Sequence, residues 1–243
     1  MPKPSPASSI RTDGHWSTDA LSVCLPLNSG SGGPVDFAGG RTCSLLSGAS
    51  WTTLNGEPAV QTTAGSNGVQ IGTVDNLPKG ATTVVWGYGK LDTTNRASGG
   101  FGFSNNTGRL GCHFPWSDGN AYLDLESSSN RLTKAGLTFA PGSRWAWVLQ
   151  APGSATPGEL FKSGTSVGTG GTAQTRTDAG GPFYLGRHST GLADFAVWEF
   201  MLVYGRALSS SEVASLHADP YQMFAASRPA GRSRDGRRAL LPC

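Results

Sequence analysis

The hydrophobic positions of this chain come in short runs that glycine and polar turns separate. The most regular run, 82–88, alternates, with Val84, Trp86 and Tyr88 on one face and Thr83 and Val85 on the other. A period of two indicates a β-strand, and β-branched and aromatic residues fit its pleated surface. Short strands at short spacing are typical of an antiparallel β-sandwich.

The same pattern predicts strands along most of the chain. They cover residues 21–28, 51–60, 67–72, 82–88, 99–103, 109–114, 121–126, 130–135, 139–149, a hairpin at 158–167, 183–186 and 193–204. Asn-Gly dipeptides mark turns between the early strands. Residues 151–157 and 169–181 have the low complexity of loops.

One short helix follows the last strand. Ser209 and Glu212 have the spacing of a capping box, in which the hydroxyl accepts from the Glu212 amide and the carboxylate reaches back to the cap. Val213 and Leu216 supply one apolar side, and Pro220 ends the helix. The pattern therefore predicts about two turns of helix, buried on one side.

This ending resembles that of a laminin-G-like domain of the concanavalin-A-like lectin/glucanase superfamily. The similar residues are Val203-Tyr204-Gly205-Arg206-Ala207-Leu208-Ser209 with Glu212 and Val213, and the tail 219–224 is similar to that of stand-alone copies in bacteriophage and bacterial genomes. The opening Leu25-Pro26-Leu27-Asn28 and the strand around Trp145 and Trp147 fit the same pattern. The resemblance implies an all-β jelly-roll sandwich with a short C-terminal helix.

The resemblance covers residues 16–224 and leaves two arms, an extended one at 1–15 and a basic one at 225–243. It implies no single function, because the superfamily includes lectins, glycosidases, adhesion modules and virion proteins. Four of the predicted strand tryptophans, Trp86, Trp145, Trp147 and Trp198, are expected in the core.

Charge is sparse and uneven. Charged residues make up 14% of the chain and the net charge is +3. The C-terminal arm holds five arginines against the single Asp235, namely Arg228, Arg232, Arg234, Arg237 and Arg238. The rest is close to neutral, which argues against a nucleic-acid-binding face. The arm has two interpretations: a solvated disordered end, or a segment that binds an acidic neighbour or packaged nucleic acid.

Targeting and cysteine patterns are consistent with synthesis in a cytoplasm. The first residues lack the apolar core of a signal peptide, and no run reaches the length of a membrane span. The four cysteines, Cys24, Cys43, Cys112 and Cys243, have no metal-ligand spacing and suggest a reducing compartment.

No catalytic pattern stands out. Asp124 and Glu126 form the nearest approach to a glycosidase pair, since residues two apart on a strand share a face at about 7 Å. The third acid of the enzymatic members is missing. There is no serine-hydrolase elbow, and His15, His113, His188 and His217 are scattered. We expect a protein that is not an enzyme.

Trp116, Asp118, Asn120 and Tyr122 form the candidate glycan site, because an aromatic face beside hydrogen-bonding side chains in a polar turn is what a sugar needs. Calcium has two candidate positions, at Asp75 and Asp118, although aspartate in turns is also ordinary turn chemistry. No other cofactor is expected.

Two functions follow as hypotheses. The first is a non-enzymatic structural or accessory virion protein of a tailed bacteriophage, made in the host bacterial cytoplasm. It would attach to capsid or tail subunits through its arms, as a homo-oligomer or lattice, without a membrane partner. The alternative is a carbohydrate-binding, lectin-like module that recognises host-surface glycan. A glycosidase that uses Glu126 is the third class, and we expect no activity there.

Overall fold

The computed structural model describes residues 3–5, 8–66, 68–73, 80–103, 109–152, 154, 158–171, 181–187 and 193–224; of Arg109 and residues 126–129 it describes the backbone alone. Within these residues the strands are β1 Leu21–Leu25, β2 Val35–Asp36, β3 Arg41–Thr42, β4 Ser44–Leu45, β5 Ala49–Leu54, β6 Glu57–Thr62, β7 Val69–Thr73, β8 Thr82–Lys90, β9 Phe101–Phe103, β10 Arg109–His113, β11 Ala121–Lys134, β12 Arg144–Leu149, β13 Gly158–Lys162, β14 Thr165–Thr169, β15 Pro182–Leu185 and β16 Ala196–Tyr204. A single 3-10 turn, Trp16–Thr18, precedes β1, and the helix α1 is Ser210–Ala218.

Fourteen of these strands form two antiparallel sheets, and β2 and β3 pair with each other in a small third sheet. The larger, eight-stranded sheet has the order β14-β13-β12-β8-β16-β6-β5, with β1 also paired to β16. The smaller has six strands in the order β11-β10-β9-β15-β7-β4. The predicted all-β sandwich with one short C-terminal helix is confirmed.

The main core lies between the two sheets. Trp86, Tyr88, Trp145, Trp147 and Trp198 of the larger sheet are at most 1% exposed, as predicted for the four tryptophans. They meet aromatic rings from the smaller sheet and its loops: Trp86 lies edge-on to Phe101 and Phe114, with centroids 5.0 and 5.2 Å apart. Edge-on aromatic pairs add about 0.5–1.5 kcal/mol each beyond area burial.

A second apolar layer covers the other face of the larger sheet. Val85, Ala146, Phe161, Phe200, Leu202 and Tyr204 of that face pack against Leu208, Val213, Leu216, Met223 and Phe224. The predicted capping box is present: Ser209 Oγ accepts from the Glu212 amide at 3.3 Å and Glu212 accepts from the Ser209 amide at 2.8 Å. The helix therefore closes this face of the sandwich.

Several strand predictions differ from the structure. Residues 51–60 belong to a hairpin of β5 and β6, and the strand expected at 139–149 begins at Arg144. The last strand begins at Ala196 and not at Ala193, because the Ala193 amide donates to Ser66 O at 2.8 Å and ties that residue to a loop. The predicted strands 121–126 and 130–135 are one continuous strand, β11. Arg131 nevertheless contacts Asp124. Seven extended residues span about 23 Å, so the strand must bend back between them.

The N-terminal stretch that was predicted as an extended arm lies along the sandwich where the structure describes it. Ile10 makes an antiparallel bridge with Phe224, and Lys3 reaches backbone carbonyls of β6 and β16. Cys24, Cys43 and Cys112 are buried free thiols, whereas Cys243 lies outside the described residues, as does the basic arm 225–243. No helix in the described ranges is long and apolar enough to span a bilayer.

Candidate functional site

Three loops meet at one end of the sandwich, and we call residues 91–100, 114–120 and 135–143 the rim. The strand registers bring them together, since the end of β8 at Lys90 and the start of β9 at Phe101 both lie at this end. Ser98 Oγ donates to Pro115 O at 2.5 Å, which joins the first two loops. Backbone bonds from Lys90 N to Phe139 O, 2.7 Å, and from Tyr88 N to Ser143 O, 3.0 Å, join the third.

The loop 114–120 is anchored at its start and closed by its own backbone. Phe114 is fully buried in the core, and the peptide bond between Phe114 and Pro115 is cis. The Trp116 amide donates to Asn120 O at 2.8 Å, and the Gly119 amide donates to Trp116 O at 2.9 Å. Gly119 has a φ of +83°, which glycine adopts without strain. The tight turn leaves Trp116 half-buried, as the sequence predicted.

The four residues of the predicted glycan site lie in one patch, which we call the Trp116 patch. Asp118 accepts hydrogen bonds from the Asn120 amide at 2.9 Å, from Asn120 Nδ2 at 2.9 Å and from the Tyr122 hydroxyl at 2.5 Å. The Tyr122 bond and the Asn120 bonds hold the pKa of Asp118 below its usual range. The patch therefore keeps a charged carboxylate in the same turn as Trp116.

The patch continues onto the outer face of the smaller sheet. The Trp116 ring lies 4.3 Å from the ring of His113, centroid to centroid, and the Arg131 guanidinium lies 4.5 Å from the Tyr122 ring centroid. Arg131 also forms a bidentate pair with Asp124, at 2.5 and 2.9 Å. Aromatic rings and polar groups thus follow one another from the loop to the sheet.

Asp124 is fully buried beneath this surface, and both of its oxygens accept from Arg131. A carboxylate held by a bidentate guanidinium has the environment of a structural ion pair. The other member of the predicted acidic pair, Glu126, has its side chain outside the described residues, as are His188 and the calcium candidate Asp75.

The loop 91–100 is held by charges. Asp194 is 1% exposed and accepts from Arg96 NH1 at 2.6 Å, while Lys90 Nζ lies 3.3 Å from its other oxygen. Arg96 also binds Asp92 at 2.7 Å. These ion pairs fix the loop beside the Trp116 patch, since the Asn95 amide packs against Gly119.

A cavity of about 360 Å³ opens between the first and third loops of the rim. The residues that line it include Asp92, Thr93, Asn95, Leu137, Thr138 and Phe139. Gly89 sets the position of the third loop, because a Cβ at this residue would lie 2.2 Å from Pro141 Cα. The cavity combines hydroxyl, amide and carboxylate groups with a half-buried aromatic ring, which is a lining suited to a sugar.

Sequence reasoning found the Trp116 patch because its members are neighbours in the chain. It missed the cavity, whose two walls are more than forty residues apart in sequence. The polar run Asp92-Thr93-Thr94-Asn95 after an apolar strand was the one available signal.

Metal binding has little support in the described ranges, where no group of three or more His, Cys, Asp or Glu side chains could hold an ion. Asp118 already accepts three hydrogen bonds, and a calcium ion at this turn would have to displace those donors.

Comparison with known proteins gives a fold and no family. No family model matches the chain, and no curated protein matches it. Among solved structures, domain 4 of a GH43 extracellular arabinanase from Geobacillus stearothermophilus, in complex with arabinotriose, is similar with a TM-score of 0.64 at 15% identity. That match covers 81% of this chain and 98% of the domain.

Two further structures share the fold over part of their length. The binding domain of Paraclostridial Mosquitocidal Protein 1 has a TM-score of 0.62 at 12% identity, over 83% of this chain and 52% of that one. Trypanosoma rangeli sialidase in complex with sialic acid has 0.60 at 12% identity, over 92% of this chain and 36% of the sialidase. The chain therefore shares its β-sandwich fold with these proteins, and the laminin-G resemblance within that fold stays a prediction.

Proposed function

We propose that this protein is a non-catalytic carbohydrate-binding module whose site comprises the Trp116 patch and the adjoining rim cavity. The observation that carries the proposal is the half-buried Trp116 ring in the same turn as the hydrogen-bonded set of Asp118, Asn120 and Tyr122. Sugar rings bind by stacking their C–H face on an aromatic ring while their hydroxyls exchange hydrogen bonds with fixed polar groups. The patch offers an aromatic ring and fixed polar groups within one turn and the strand that follows it.

The charges of the site favour a neutral glycan. Lys90 and Arg96 are both paired with Asp194, and Arg131 is paired with Asp124. Each of these three cations is thus paired with a carboxylate, and Asp118 adds a negative charge. Lys162 Nζ instead donates to the O and Oγ1 atoms of Thr138 on the cavity wall, without an ion pair among the described residues. An acidic sugar such as sialic acid would meet the negative charge of Asp118 at the Trp116 patch, where Arg131 is already paired with Asp124.

The comparisons supply related precedents. The arabinanase domain was solved with arabinotriose, a neutral sugar, and the sialidase with sialic acid, an acidic one. Because both share the fold at low identity, they support a sugar-binding scaffold, and the choice of ligand must come from this chain's own site.

A glycan array tests the proposal. The full chain should bind one or more neutral oligosaccharides, with arabinotriose among the probes, and should give a lower signal on their sialylated counterparts. Trp116→Ala should abolish the signal. An array without signal above that of a tag-only control contradicts the proposal, and a preference for sialylated probes contradicts the charge argument.

Attachment to a virion is the second candidate, and one observation favours it. Phe224, the last described residue before the basic arm, pairs with Ile10 on the outer face of the larger sheet. The Trp116 patch lies at the opposite, smaller sheet. Anchoring through the basic arm would leave the patch exposed. Deleting residues 228–243 should then abolish incorporation into phage particles, measured by mass spectrometry of purified particles; unchanged incorporation excludes this arm as the anchor.

A further inference from the structure

A second cavity, of about 430 Å³, lies on the outer side of the larger sheet, away from the Trp116 patch. Its lining includes six polar or aromatic residues from five separate parts of the chain: Lys3, Asn55, Glu57, Arg144, Glu199 and Tyr221. A pyranose ring fits easily in this volume, because ligand pockets for larger, drug-sized molecules start at about 300 Å³.

A β-bulge places Glu199 in this cavity. Trp198 pairs with Tyr88 and Phe200 pairs with Gly87, so Glu199 is the extra residue on β16. Gly87 leaves room for it, since a Cβ there would lie 2.8 Å from Glu199 Cβ. Bulges often redirect a side chain next to a functional site. Here the bulge turns a carboxylate toward the cavity from a strand whose other residues are apolar.

The Glu199 carboxylate is incompletely satisfied. Its Oε1 atom is buried and has no hydrogen-bond partner in the described part of the protein. Burial raises the pKa of this group against the opposing charges of Lys3 and Arg144. A buried acceptor without a partner destabilises the protein, so a ligand that donates to it removes that cost on binding.

Arg144 supplies the complementary donors. It pairs with Gly87 on the neighbouring strand, and its NH1 donates to the carbonyls of His217 and Ala218 at the end of α1. Its Nε and NH2 make no hydrogen bond to the residues that the structure describes. A guanidinium fixed by two carbonyls and left with free donors is oriented for a ligand acceptor.

The charges around the cavity cancel. Lys3 and Arg144 are cationic, and Glu57 and Glu199 are the two carboxylates. An anionic ligand would be repelled by the two glutamates, and a cationic ligand would be repelled by Lys3 and Arg144. A hydroxyl both donates and accepts, so it satisfies Glu199 and Arg144 together without adding charge. The Tyr221 ring and the Asn55 amide add an apolar wall and a further polar group.

We propose that this cavity binds one small neutral polyhydroxylated ligand, the size of a single sugar ring, with a hydroxyl shared between Glu199 and Arg144. The proposal does not rest on the glycan site at the rim, because the two cavities share no residue.

Titrations of the full chain, followed in amide proton–nitrogen correlation spectra, test this site. The probes are methyl glucoside, methyl galactoside and methyl arabinoside as neutral rings, with glucosamine and glucuronate as charged ones. At least one neutral probe should give saturable shifts at the amides of Asn55, Glu57 and Glu199, which line this cavity, and the charged probes should bind several-fold more weakly. Glu199→Gln should weaken binding about tenfold, the loss of one charged hydrogen bond.

Trp116→Ala is the matched control, and it should leave these shifts unchanged even if glycan binding at the rim is lost. Tyr221→Leu repeats the test if Glu199→Gln does not fold. The proposal is overturned if no probe produces saturable shifts at these amides, if a charged probe binds at least as tightly as the neutral ones, or if the folded Glu199→Gln variant binds with unchanged affinity.

Discussion

Lys3 closes a gap in the larger sheet, and its replacement is expected to destabilise the whole domain. On one side of β16, β6 pairs with residues up to Trp198 and β1 begins to pair at Met201. The Lys3 ammonium lies at the junction and donates to Leu27 O at 3.3 Å, to Glu199 O at 2.7 Å and to Pro58 O. An ammonium has three N–H donors, and each has one carbonyl here.

The size of the effect follows from two opposing contributions. Hydrogen bonds from a charged donor contribute about 1.5–3 kcal/mol each, or about 4.5–9 kcal/mol for three. Burial lowers the pKa of Lys3 from its ordinary 10.5 to about 8. At about 1.36 kcal/mol per pKa unit, keeping the buried ammonium charged costs about 3 kcal/mol. The bonds exceed this cost, and we expect Lys3→Met to lower the free energy of unfolding by about 3 kcal/mol.

Urea unfolding followed by tryptophan fluorescence measures this change, with an unchanged denaturant slope as the sign that the same cooperative unit unfolds. Lys134→Met is the matched control, because the Lys134 side chain has no hydrogen bond or ion pair with the residues that the structure describes; we expect a change within about 0.5 kcal/mol. A loss below about 0.5 kcal/mol for Lys3→Met would show that the N-terminal stretch does not stabilise the sheet.

Three further predictions concern the body of the fold. Burial lowers the pKa of His217 to about 4, so the folded state disfavours the proton; unfolding free energies in a pH series should fall by up to about 3 kcal/mol as the pH drops from about 6.5 to 4, and His217→Gln should remove that slope. Gly89→Ala should cost about 2 kcal/mol or more in urea unfolding, because its Cβ would overlap Pro141, whereas Gly80→Ala, which has open space, should be neutral. Arg131→Met should cost about 3 kcal/mol in the same assay, because it leaves the buried carboxylate of Asp124 without its bidentate partner; stability equal to that of the unaltered protein would contradict the assignment of that pair.

Features that depend on near neighbours in the sequence were predictable. The Asn55-Gly56 turn, both of whose residues have positive φ, and the Ser209–Glu212 capping box are local, and both are present. The Trp116 patch was predictable for the same reason, since a single turn and the strand after it supply its members.

Features that depend on distant partners were not predictable. The bend in β11 that brings Arg131 onto Asp124 has no local signal, because both residues are ordinary strand-face residues in sequence. Glu199 is an isolated glutamate in the sequence, and its position in the same cavity as Arg144 follows from the bulge opposite Gly87. Lys3 stands in a proline-rich stretch that indicates an arm, and its anchoring depends on three carbonyls from three separate segments.

The most direct test of the central claim is calorimetric titration of the neutral oligosaccharide that binds best on the array. The unaltered chain, Trp116→Ala and Trp51→Ala would be compared, because Trp51 is also half-buried but lies on β5, outside the rim. The account predicts at least about tenfold weaker binding for Trp116→Ala, because loss of the stacking ring removes more than about 1.4 kcal/mol of binding free energy. Binding by Trp51→Ala should be unchanged. Equal affinities of the unaltered chain and the folded Trp116→Ala variant would contradict it.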